Sequence, residues 1–280
     1  MKRKLLALIL LGAAGPLAAA PFAMVTELKG EARSMEGTES RKLALLSYIE
    51  KPTQIQVDPA GKLVVTYFAN GVQYSFEGPS KASLEVPNPK VIQGPQPEAR
   101  KITPDKSIGG GGLSPDQWRR LQQATMVMRS VRPGFSVIGP DKTVVLEAEP
   151  EFEWTSAPHA KGYRLVVYAD NALIHEARAE GNSLRPGAAL KLQPGKRYRW
   201  KVDAIGVQKP VSTSGAFTMA EAPVRKDLLN LRASMGNDAA ARAFYATALE
   251  AQGHTYDARA EWKALARDYP DEPEYSARAR

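Results

Sequence analysis

Side chains able to do chemistry are few and scattered. The histidines are His159, His175 and His254, and no two lie near each other in sequence. His159 follows Pro158 and His254 follows Gly253. Both read as surface histidines beside turns, the ordinary setting for an isolated imidazole. No cysteine occurs, which removes disulfides, thiolate metal sites, thiol nucleophiles and a lipoprotein anchor. Neither a G-x-S-x-G elbow nor an H-E-x-x-H pair is present. Gly109 to Gly112 precede Leu113-Ser114 where a phosphate loop needs Lys followed by Ser or Thr, and Gly195-Lys196 lacks both the upstream glycine and the hydroxyl residue. Asp268, Asp271, Glu272 and Glu274 lack calcium-loop spacing and read as a solvated acidic end. The sequence therefore predicts no enzyme: no catalytic residue, no cofactor and no metal ligand.

Charge narrows the partners. The formal net charge is +8, and removing Lys2, Arg3 and Lys4 leaves +5. Residues 93–140 hold seven cations and three acids, whereas the flanking segments are nearly balanced. That moderate basicity does not predict a nucleic-acid binder. Lys2 to Lys4, the apolar run Leu5 to Leu11 and the small residues Ala13 to Ala20 have the layout of a cleaved signal peptide over 1–20. The run is too short to span a bilayer, and no later segment reaches that length. The expectation is an exported protein, periplasmic or secreted, with no transmembrane segment in the mature chain.

The elements follow from turn chemistry and periodicity. Lys62 to Phe68 and Val72 to Phe76 flank Asn70-Gly71, which predicts a β-hairpin. Asp58-Pro59-Ala60-Gly61 predicts a second turn after a strand over Thr53–Val57. An opening strand with a glycine turn (Val25 to Gly30), a polar loop and a meander ending in Glu77-Gly78-Pro79-Ser80 make residues 21–92 resemble the FecR-like domain. Family members act in envelope signalling or as modules of exported proteins. Pro95, Pro97 and Pro104 with Gly109 to Gly112 predict a linker over 93–113. Ser114-Pro115-Asp116-Gln117 caps a predicted connecting helix over 114–132, with Trp118, Leu121, Thr125 and Met128 on one face.

Phe152 and Trp154 on one strand, alternation of Tyr163, Leu165 and Val167 on another, and Leu192-Gln193-Pro194-Gly195-Lys196-Arg197-Tyr198 make residues 141–220 resemble a fibronectin type III domain. The resemblance implies a tyrosine corner at Tyr198 and a core tryptophan at Trp154. These aromatics read as core packing rather than a carbohydrate platform, which would need several exposed together. Residues 224–272 read as helices, with Val224, Leu228, Leu231 and Met235 sharing a face. Tyr245, Ala246, Leu249, Gly253, Ala258, Trp262, Leu265 and Pro270 make this segment resemble one tetratricopeptide repeat. One repeat cannot bury its apolar face alone, so another part of the chain or a partner must cover it.

The predicted fold class is thus multidomain, mainly β with α: a FecR-like β meander or sandwich, a fibronectin III-like β-sandwich and a C-terminal α-hairpin. Residues 181–202 contain six cations and no acid. With Tyr198, Trp200 and Val202 inward, alternation sends Arg197, Arg199 and Lys201 to the opposite face. Fibronectin-like pairing of the Tyr163 and Tyr198 strands adds Arg164, Val166 and Tyr168. The candidate binding residues are therefore Arg164, Tyr168, Arg197, Arg199 and Lys201. Such a patch suits an anionic partner, either an acidic protein surface or a charged envelope polymer. The expected function is a non-catalytic binding or scaffold protein of an envelope sensing or assembly system. The alternative is a polysaccharide- or peptidoglycan-binding protein. The FecR resemblance implies a membrane-bound sensor or nucleotide cyclase as one partner.

Overall fold

A computed structural model describes residues 21–37, 39–102 and 134–280. The expected signal peptide, the connecting helix and the linker beyond residue 102 lie outside the described residues.

The first sandwich is built from ten strands: β1 (Ala23–Lys29), β2 (Ala32–Glu36), β3 (Glu39–Lys42), β4 (Tyr48–Ile49), β5 (Thr53–Val57), β6 (Lys62–Tyr67), β7 (Val72–Glu77), β8 (Ser80–Leu84), β9 (Lys90–Gln93) and β10 (Glu98–Lys101). They form two antiparallel sheets, ordered β10-β7-β6-β1-β4 and β3-β2-β5-β8-β9. Val25, Ile55, Leu63, Val65, Phe76 and Leu84 fill the space between them. Asn70-Gly71 makes the β6–β7 turn: Gly71 takes φ +61°, and the Val72 amide donates to Asn70 Oδ1 at 3.0 Å. Gly78 is needed at the other end of β7, since any Cβ there would lie 1.8 Å from the Asp58 carbonyl oxygen.

The sequence reading ends this domain too early. β9 crosses residue 92, and β10 lies inside the expected linker. Glu98–Lys101 pair with Ser75–Val72 in full antiparallel register. The flanking prolines at 95 and 97 fall before the strand, where no ladder amide is lost.

The second sandwich holds β11 (Val137–Gly139), β12 (Thr143–Val145), β13 (Phe152–Trp154), β14 (Gly162–Ala169), β15 (Ala172–Ala179), β16 (Ser183–Leu184), β17 (Arg197–Ile205) and β18 (Ser212–Met219). Its sheets are β11-β13-β16 and β12-β18-β17-β14-β15. All pairs are antiparallel except β12 with β18. Phe152, Trp154, Leu165, Tyr198, Trp200 and Val202 form the core. The Gln193 amide donates to the Tyr198 hydroxyl at 2.7 Å, closing the tyrosine corner. The Trp200 indole donates to the Pro140 carbonyl at 2.7 Å and covers Gly215, where an added Cβ would meet it at 2.6 Å. Three-on-five strands, Greek-key order and tyrosine corner together make this a fibronectin type III-like sandwich.

Four helices close the chain: α1 (Ala222–Ser234), α2 (Ala239–Ala251), α3 (Thr255–Asp268) and α4 (Pro273–Arg278). Leu228, Leu231 and Met235 of α1 and its end are buried, but Val224 stays 39% exposed, unlike its expected place on that face. Asp238 caps α2 by accepting the Ala241 amide at 3.0 Å. It also accepts Arg100 Nη2 at 2.8 Å, which ties the cap to β10. Almost every side chain of α2 is buried. One reason is its neighbour: Met24, Leu45, Leu46, Phe68 and Ile102 of the first sandwich share a core with Leu228, Phe244, Leu249, Trp262 and Tyr275 of the helices. Phe68 stacks on Phe244 with centroids 6.1 Å apart. Thus the outer face of the first sandwich supplies the cover that the helical pair requires. The second sandwich holds the helices from the other side, through Thr143–Gly253, Tyr256–Glu151 and Lys263–Glu153 bonds.

Candidate functional site

Two surfaces carry the chemistry. The first is the outer face of the β12-β18-β17-β14-β15 sheet. Pairing sets Arg164 beside Asp203, Val166 beside Lys201 and Tyr168 beside Arg199. Arg164, Tyr168, Arg197, Arg199 and Lys201 therefore do share one face. Arg164, Arg197 and Arg199 are exposed, whereas Tyr168 and Lys201 are half-buried. The face is not uniformly cationic. Arg164 Nε lies 3.0 Å from Glu176 Oε1 of β15, and Lys201 Nζ lies 2.7 Å from Asp203 Oδ1. Arg199 donates to Asn171 Oδ1 at the β14–β15 turn. Sequence alternation identified the face but missed Glu176, which comes from a neighbouring strand; Asp203 lies on β17 itself, two residues beyond Lys201.

The second surface is a groove of about 700 Å³ between α1, α3 and the turn 146–149, floored by α2. Leu229, 43% exposed, stands on its rim, and Leu146, Tyr245 and Leu249 are buried beneath. Ala260 and Ala264 keep the α3 wall low. The charges are arranged in layers. Arg242, only 7% exposed, reaches Asp268 at 2.7 Å and Glu261 at 3.5 Å. Its Nε has no hydrogen-bond partner among the described residues. Arg232 Nε lies 3.4 Å from the same Glu261. Arg225 donates to the Leu146 carbonyl at 2.6 Å. Asp268 is thus an ion-pair partner and not part of a free acidic tail; the pair of arginines beside it, Arg242 and Arg267, holds its carboxyl below the usual range.

At the inner end of the groove Asp257 accepts the Leu146 amide at 2.9 Å and the Glu147 amide at 3.2 Å. Burial pushes its carboxyl up to about 7, against these two amides, which favour the ionised form. His254 is a further departure from the sequence reading. It is 3% exposed, with Nδ1 3.1 Å from the Val144 carbonyl, and burial pulls its pKa down. It sits where the α2–α3 turn meets β12 and is not a surface histidine. The groove residues Asp257, Glu261, Ala264 and Asp268 recur at spacings of four, three and four, one helical face. That pattern was available in the sequence, but nothing local shows that the face stays open. No group of three or more His, Cys, Asp or Glu among the described residues could hold a metal ion, and no described helix is long and apolar enough to cross a membrane.

No family model and no curated protein matches the chain. Among solved structures it is similar to the crystal structure of FN3tt, with 19% identity, 31% of this chain and 90% of that chain covered, and a TM-score of 0.21. It is also similar to a two-domain fibronectin type III segment of chicken tenascin, with 12% identity, 72% and 87% covered, and a TM-score of 0.23. The fibronectin-like character of the second sandwich rests on its own strand order and tyrosine corner.

Proposed function

We propose that this chain is a non-catalytic binding protein of the bacterial cell envelope that takes a segment of a partner protein into the α1–α3 groove. In this reading residues 1–20 are removed on export to the periplasm, the first sandwich is FecR-like and the closing helices are repeat-like. The observation that carries it is the groove itself. An apolar floor with the exposed Leu229 at its rim offers burial to a partner side chain. Its arginines are committed to Asp268, Glu261 and the Leu146 carbonyl, while Glu149 at the rim makes no ion pair among the described residues. The complement is an apolar segment bearing a basic residue, such as an exported region of a membrane-bound sensor. Capture from envelope extracts should be lost in Leu229→Glu and kept in the triple variant Arg164→Ser, Arg197→Ser, Arg199→Ser. Equal capture by both variants overturns the groove. N-terminal sequencing of the mature protein tests export; an intact Met1 overturns it.

A second reading is favoured by Arg197, exposed and without an ion pair among the described residues. The outer sheet face would then bind an anionic envelope polymer. Binding to purified wall polymers should weaken with salt, and the triple variant should lose that dependence, because exposed charge contacts respond to screening.

A further inference from the structure

The sheet edges differ in how they are protected. Among the described residues the edge strands β3, β4, β9, β10, β11, β12 and β16 are two to four residues long. Short edges offer little template for a further strand. β15 is the exception. It runs for eight residues, Ala172–Ala179, pairs among the described residues only with β14, and contains neither proline nor glycine. A register shift opposite Val167/Tyr168 bends its first part. Residues 175–179 beyond it are regular, and no strand among the described residues pairs with their free side. Within them Glu176 and Arg178 lie on the outer face of the sheet, opposite Val166 and Arg164. Both are exposed, and Arg178 has no ion pair among the described residues.

We propose that two copies of this chain join edge to edge through β15, antiparallel, about a two-fold axis at Ala177. The strand is complementary to itself in this register. A residue and its opposite number in an antiparallel pair share a face. Pairing Ala177 with Ala177 sets Glu176 opposite Arg178, and the two-fold axis repeats that contact. His175 falls opposite Ala179 on the inner face, where the small alanines leave room. The two five-stranded sheets become one continuous sheet, and the free backbone groups of β15 find partners. Shifting the register by one residue to either side loses this match. A two-fold operator needs a self-complementary patch, and this strand supplies one with a mixed charge pair in place of a wholly apolar edge.

An edge pair buries little area, so association belongs at the weak end of specific interfaces. Sedimentation of the purified chain from about 5 µM to about 500 µM should show a monomer–dimer equilibrium. Glu176→Arg places arginines opposite each other, and Arg178→Glu places glutamates opposite each other. Each single variant should dimerise roughly tenfold more weakly or worse, since like charges across a pair are destabilising. Mixing the two should restore association, because one chain then carries arginine at both positions and faces a chain carrying glutamate at both. The double variant E176R/R178E should dimerise like the original chain. Restoration on mixing is a result that damage to the fold cannot produce. A chain that stays monomeric throughout the range overturns the proposal. So do single variants that dimerise unchanged, or a mixture that associates no better than its components.

Discussion

Asp257 and His254 sit one turn apart at the start of α3, and both face the strand and turn formed by residues 143–147. Their protonation preferences oppose each other. The Asp257 carboxyl, near 3.8 in an open chain and raised to about 7 when folded, binds its proton more tightly in the folded state. Its contribution to stability is full below about 4 and falls as the pH rises toward about 7. His254 has its pKa lowered by burial. Its contribution is full above about 6.5, the value in an open chain, and is lost as the pH falls. Asp257→Asn removes the first term alone. Urea denaturation of both proteins at pH 5, 6, 7 and 8 should show the original chain losing stability relative to the variant up to about pH 7, with no further change beyond. A difference independent of pH would contradict a proton held on Asp257. Arg278 reaches back from α4 to the last turn of α2. It lies 2.8 Å from Glu250 and 3.1 Å from the Tyr48 hydroxyl of the first sandwich, above the Trp262 ring.

Among the elements, α2 depends most on its surroundings. Its alanine-rich sequence favours a helix, but thirteen residues alone would be marginal in water. The two sandwiches and the flanking helices supply the rest. Phe244→Ala should cost about 3–5 kcal/mol, because the Phe68 contact is lost and the space is closed on both sides. Thermal unfolding measures this, and a change under about 1 kcal/mol would mean that the first sandwich does not cover α2. Elements whose signals are local were legible in the sequence: the Asn70-Gly71 hairpin, the Tyr198 corner, the alternation that places Arg197 and Arg199 outward. What escaped depends on residues far apart. Nothing near Glu98 announces that it will pair with Ser75. Gly253 marks a turn but not that β12 will bury His254 against it. Arg242 looks like a surface cation until Asp268 and Glu261 arrive from α3. The open face of the groove was equally hidden, since helical spacing shows a face but not whether anything covers it.

At the scale of the whole molecule, the helices occupy the space between two sandwiches and share a core with the first. A chain ending at Ala220 should keep the tyrosine corner and both sandwich interiors. It should expose Met24, Leu46, Phe68 and Ile102, bind an apolar dye strongly and associate at concentrations where the full chain does not. Dye fluorescence and light scattering of the fragment test this; a fragment as well behaved as the full chain would show that the shared core is dispensable. The same contact sets a schedule. Met24 lies in β1, yet Thr247, whose hydroxyl reaches its sulfur, stands 223 positions later. At about 5–20 residues per second, roughly 10–45 s of synthesis separate the two. Over that interval β1 can find β6 and close the interior of its own sandwich, while its other side waits in contact with solvent or a chaperone. The helices then act as the closing step of the first sandwich, and a chain stalled short of them carries a visible mark of incompleteness on β1.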